Sequence, residues 1–175
     1  MKTNTQFILT LMGILIATIS LTAQTKPIHK TKMEALAKLS GTWAGSGWMT
    51  TPDRQRVEFS QKEEITFELN GSVLHIRGEG FSPEGKQIHN ALGVMFYDST
   101  KGKYYMDAFL ETGQHTVAEL ALTETGLNWF FETEQGGLVK YVITIQDGVW
   151  TEKGYYSPDG IAQYPFIEFT LTKNK

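Results

Sequence analysis

The sequence predicts an all-β protein, an antiparallel meander of about ten strands closed into a barrel and preceded by one short helix. Two observations carry this. From Gly41 onward, turn signals recur at short intervals: Pro52-Asp53, Asn70-Gly71, Pro83-Glu84-Gly85, Thr100-Lys101-Gly102, Thr112-Gly113, Thr125-Gly126, Gly136-Gly137, Asp147-Gly148 and Pro158-Asp159-Gly160. The segments between them are mostly about 8–12 residues long and rich in β-branched and aromatic residues, with no helical period. Connections this short join antiparallel neighbours, and closure removes the exposed edges that an open sheet of this width would leave.

Residues 1–23 are expected to lie outside the fold. Lys2 is followed by the apolar run 7–21, and Leu21-Thr22-Ala23 places a small residue before Gln24. This pattern is that of a secretory signal peptide cleaved after Ala23, implying a periplasmic or extracellular protein with no stable membrane insertion after cleavage. A membrane anchor is the competing reading, but the run is short of the roughly 20 apolar residues that a spanning helix needs. Residues 24–31 read as a polar tether containing Pro27. Residues 32–175 read as one barrel domain. It opens on a helix over 32–39, capped by Thr31 with Glu34 three residues on and presenting Met33, Leu36, Ala37 and Leu39 on one apolar face.

The Asn70-Gly71 hairpin has a legible register. A two-residue turn there sets Phe67 opposite Leu74 and Ile65 opposite Ile76 on an apolar face. The other face pairs Glu64 with Arg77, Lys62 with Glu79 and Thr66 with His75. In residues 92–113, a four-residue loop pairing Asp98 with Lys103 sets Tyr97 opposite Tyr104, Phe96 opposite Tyr105 and Val94 opposite Asp107. Both arms are crowded with apolar side chains, which predicts burial on both faces and a central position. Later strands follow over residues 127–133, 138–146, 149–157 and 163–173. In the last, Ile167, Phe169 and Leu171 alternate with Glu168, Thr170 and Thr172, giving one dry and one wet face.

The composition excludes several function classes. There is no cysteine, so neither thiol catalysis nor a thiolate metal site is available, and the formal charge of −3 is spread without a basic stripe, which argues against nucleic acid. The four histidines, His29, His75, His89 and His115, show no metal-ligand spacing. Gly78-Glu79-Gly80 lacks the third glycine and following helix of a dinucleotide site, and reads as a bend where a strand curls. Glu63 and Glu64 are adjacent on a strand and point to opposite faces, which defeats joint acid–base work.

Leu39-Ser40-Gly41-Thr42-Trp43, a short helix followed by Gly-x-Trp at the head of the first strand, resembles the start of lipocalins and related barrels. There the tryptophan closes one end of the barrel, a role the resemblance gives to Trp43. Lipocalins usually pack a last-strand arginine against that tryptophan, and this chain has Lys173 in that region. Residues 93–113, with Tyr97-Asp98, Gly102-Lys103-Tyr104 and Asp107, look like those of an uncharacterised family of bacterial lipocalin-like proteins. Leu39, Gly41, Trp43, Gly45 and Gly47 also resemble the opening of nitrobindins, which are haem-binding barrels. Nitrobindins ligate haem through a histidine near the C-terminus, whereas here no histidine follows His115.

A barrel of this class implies a ligand cavity. His89 alternates with the small or flexible Ala91, Gly93 and Met95, and Asp107 is a carboxylate among apolar neighbours that needs a donor. These two are the candidate polar anchors, with Tyr105, Trp129 and Tyr141 as candidate walls. The leading expectation is non-catalytic binding of a small, largely apolar molecule, with no cofactor. The alternatives are an interaction module whose barrel is filled by its own side chains, and a haem protein of nitrobindin type. The sequence is silent on oligomeric state.

Overall fold

Alternation of inward and outward side chains is the rule by which this chain closes on itself. The computed structural model describes residues 27–174. The expected signal peptide and the first residues of the expected tether lie outside that range. Ten antiparallel strands run β1 (Gly41–Thr50), β2 (Arg56–Glu68), β3 (Val73–Phe81), β4 (Gln87–Asp98), β5 (Lys103–Leu110), β6 (His115–Leu122), β7 (Gly126–Glu132), β8 (Leu138–Gln146), β9 (Val149–Ser157) and β10 (Tyr164–Lys173). Each pairs with its sequence neighbours, and β1 pairs with β10 to close the barrel. Closure depends on Gly45 and Gly47, because a Cβ on either would overlap the backbone of β10 at Thr170 or Glu168.

Both hairpins take the register expected from the sequence. Ile65 pairs with Ile76 and Phe67 with Leu74. Phe96 pairs with Tyr105 and Val94 with Asp107. Two details differ. The Asn70 turn is longer than two residues: Leu69, Asn70 and Gly71 all take positive φ, and the ladder stops at Glu68 and Val73. The charged face bonds along its strands rather than across them, with Lys62 on Glu64 at 2.6 Å and Arg77 on Glu79 at 3.5 Å.

Burial on both faces of β4 and β5 does not hold. Met95 and Met106 point into the barrel, while Leu92 and Phe109 on the outer face are 39% and 40% exposed. A single closed sheet has no second layer, so an apolar outer row stays partly wet however hydrophobic it is.

The N-terminal segment plugs one end. Its helix starts at Ile28, inside the expected tether, with Pro27 at the cap position, and runs as α1 (Ile28–Met33) into a 3-10 helix (Glu34–Leu39). Thr31 lies within α1 and does not cap it. Proline before the first turn suits the helix because its missing N–H would be unsatisfied there in any case. Met33, Leu36 and Leu39, on the inner side of the plug, are fully buried. His29 Nδ1 donates to the Tyr97 carbonyl at 3.0 Å, and the Tyr104 hydroxyl donates to the Lys32 carbonyl at 2.9 Å. A plug this short is held by tertiary packing rather than by its own propensity.

Trp43 stands directly behind the plug. It is buried, its indole N–H donates to the Leu39 carbonyl at 2.7 Å, and it meets Trp150 edge-on at 5.6 Å. The Lys173 ammonium sits 5.1 Å from its ring centroid, within cation–π range and in the place where lipocalins usually set an arginine.

Candidate functional site

The opposite half of the barrel holds a cavity of about 350 Å³. It exists because inward positions there are small. Gly78, Ala91, Gly93 and Ala108 line it where the plugged half has Ile65, Leu74 and Leu127. Its wall is largely apolar and aromatic: Phe59, Met95, Met106, Trp129, Phe131, Tyr141, Trp150 and Phe169. Trp129 and Tyr141 are register partners on β7 and β8, and their rings lie parallel with centroids 3.8 Å apart. Gly154 on β9 makes room for this stack, since a Cβ there would come 2.9 Å from the Tyr141 ring.

Three buried polar side chains interrupt the apolar wall: Gln61 and Glu63 on β2, and Glu152 on β9. Strand alternation places them inward. Glu63 shares a face with Ile65 and Phe67, and Glu152 shares one with Trp150. Glycines again make the space. A Cβ on Gly78 would stand 2.9 Å and 3.0 Å from the two Glu63 carboxyl oxygens, and one on Gly80 would stand 2.9 Å from Gln61 Oε1. Gly78 and Gly80, read from sequence as a strand bend, therefore leave the volume that the neighbouring polar side chains occupy.

The polar groups are unequally satisfied. Both carboxyl oxygens of Glu152 accept an indole N–H, from Trp129 at 3.2 Å and Trp150 at 3.1 Å. Gln61 Nε2 donates to Glu63 Oε1 at 2.6 Å, but Glu63 Oε2 has no hydrogen-bond partner among the described residues. A buried polar atom without a partner costs free energy, so its presence calls for an explanation.

Electrostatics follow from this burial. Loss of solvent pushes Glu63 up to about 8, against the opposing hydrogen bond from Gln61 and with a further push from the charge on Glu152. Loss of solvent also raises Glu152, to about 7, although its two indole donors favour the carboxylate. Glu63 therefore keeps its proton at neutral pH, and the Gln61 bond to Oε1 leaves that proton on Oε2. Burial likewise raises the Tyr141 phenol and lowers His89.

Of the residues singled out from sequence, His89, Trp129 and Tyr141 line the cavity. Asp107 and Tyr105 do not. They stand on the outer face, where Asp107 Oδ1 accepts from His115 Nε2 at 2.9 Å and the Tyr105 ring lies beside Phe96 and under Lys101. The register of that hairpin was legible, but which of its faces turns inward was not. The strongest polar features of the cavity, Glu63, Glu152 and Gln61, were missed as candidates. Their signal was present: the β2–β3 register already set Glu63 on the apolar face. Among the described residues no group of three or more His, Asp or Glu side chains is placed to hold a metal ion.

No protein-family model matches the chain, and no curated protein sequence matches it. Solved structures do share its fold. The crystal structure of Rv2717c from M. tuberculosis superposes with a TM-score of 0.63 at 13% identity, covering 82% of this chain and 97% of that one. The S-type phycobiliprotein lyase CPES from Guillardia theta superposes with a TM-score of 0.54 at 13% identity, covering 86% and 99%. At this identity the likeness is one of fold. What the two share with this chain is the fold over most of their length.

Proposed function

We propose that this chain is an exported binding barrel that takes up a small, largely apolar molecule and performs no catalysis. The observation that carries the reading is the cavity itself, about 350 Å³ with aromatic and aliphatic walls and a few buried polar groups. Ligand sites have this composition, and the volume falls at the small end of their range. Its cause supports the reading further, because glycine and alanine at inward positions leave space that the plugged half fills with leucine, isoleucine and tryptophan. A protein of the same fold is a phycobiliprotein lyase, which agrees with a small-molecule partner. Export rests on residues 1–23, read from sequence.

Native mass spectrometry of the protein purified from its own cells tests both parts. The expected result is a chain beginning at Gln24 that carries a mass excess lost on denaturation. A chain without excess mass that also fails to bind a neutral apolar fluorophore would overturn the binding function, and a chain retaining residues 1–23 would overturn export. Haem titration tests the nitrobindin-like alternative, for which a Soret band at micromolar haem would speak.

A further inference from the structure

The cavity wall carries one buried carboxyl oxygen without a partner. The indole N–H groups of Trp129 and Trp150 go to Glu152, and the Gln61 amide goes to Glu63 Oε1. Glu63 Oε2, on a residue that lines the cavity, has no partner among the described residues, and it becomes a pure acceptor once Glu63 gives up its proton. Glu63 and Glu152 are 8% and 6% exposed, so these acceptors are not placed there for solvent. The stacked rings of Trp129 and Tyr141 stand in the same wall and suit an apolar, aromatic body. The charge on Glu152 adds to the cost of ionising Glu63, and a positive charge bound beside both relieves it.

We propose that the ligand of this cavity is a primary amine with an apolar, preferably aromatic body, whose ammonium group binds at Glu63 Oε2 beside Glu152. This rests on the binding reading above and names the chemistry of its ligand. The balance is simple. Glu63 enters as the carboxylic acid and leaves as the carboxylate, the ammonium donates N–H to Oε2, and one proton passes to solvent for each amine bound. The other titratable groups facing this space are His89 on β4, Tyr141 on β8 and Glu152 on β9. Burial holds His89 and Tyr141 neutral at pH 7, so Glu63 and Glu152 dominate the coupling.

Three indoles that differ only at the head group test this by isothermal titration calorimetry: tryptamine, tryptophol and indole-3-propionate. The expected order is tryptamine at least tenfold tighter than tryptophol, with the propionate weakest. Tryptamine affinity rises between pH 6 and 8.5, and heats measured in buffers of different ionisation enthalpy report release of about one proton per amine at pH 7. E63Q, which keeps the shape and removes the charge, abolishes the preference of tryptamine over tryptophol. E152Q, as a second variant, lowers it and removes part of the pH dependence. Tryptophol binding as well as tryptamine, affinity flat or falling with pH, or no binding by any of the three overturns the proposal. The mass-spectrometric result separates these failures. A ligand mass that proves not to be an amine leaves the binding barrel standing and removes only this inference.

Discussion

The two halves of this barrel are built on the same ten strands and differ in what fills them. Behind the plug, Trp43, Ile65, Leu74, Leu127 and Leu171 are buried and packed under Met33, Leu36 and Leu39. Toward the other end, the same strands present Gly78, Ala91, Gly93 and Ala108, and the space they leave holds two carboxyl groups and an amide. Stability is concentrated in the first half and the capacity to bind in the second. The difference is written in inward side-chain volume alone, since the ladders run through both halves.

Substitution at each end sharpens the contrast. W43A removes the largest buried side chain of the plugged half, together with its bond to Leu39 and its contact with Trp150. Urea denaturation is expected to show a loss of about 3–5 kcal/mol. Adding volume separates the halves next. A118L inserts a side chain at a fully buried position and is expected to cost about 1–3 kcal/mol. A108L faces the cavity and is expected to change stability by less than about 1 kcal/mol while abolishing ligand binding. Equal costs for the two leucines would erase the distinction.

The pH dependence of stability is a third probe. Glu63 and Glu152 have folded values raised from 4.5 to about 8 and about 7. The folded state therefore holds more protons than the unfolded state between these limits. Their contribution is present in full below about pH 4.5 and is lost as pH rises toward 8. Urea denaturation at pH 5.5, 7 and 8.5 is expected to show a decline that the E63Q/E152Q double variant flattens, with E63Q more stable than the parent at pH 8.5. The smallest effect belongs to the outer face. D107N breaks only the half-exposed pair with His115 and is expected to change stability by less than about 1 kcal/mol, with ligand binding unchanged.

Much of the architecture was legible because strand alternation and turn chemistry are local. The Asp98–Lys103 pairing and the Ile65–Ile76 pairing followed from a few residues each. The plug was legible as a helix but not in its start, because Pro27 sets that boundary and the polar residues after it read as tether. Which face turns inward was harder. On β4 and β5 both faces are apolar, so Asp107 and Met106 are distinguished only by the closed sheet. Glu63 was legible in principle: its own register set it beside Ile65. A glutamate reads as solvated until the glycines opposite it are seen to make room.

The central claim is that ligand enters one half of the barrel and not the other. Assigned amide and indole NMR spectra of the protein, titrated with tryptamine at pH 8, test it most directly. Shifts are expected to concentrate at Gly78, His89, Ala91, Ala108 and Thr116 and at the Trp129 and Trp150 indole N–H groups, with Leu36, Leu74 and Leu127 unmoved. Shifts confined to the outer face around Asp107 and Tyr105, or spread evenly over both halves, would contradict it.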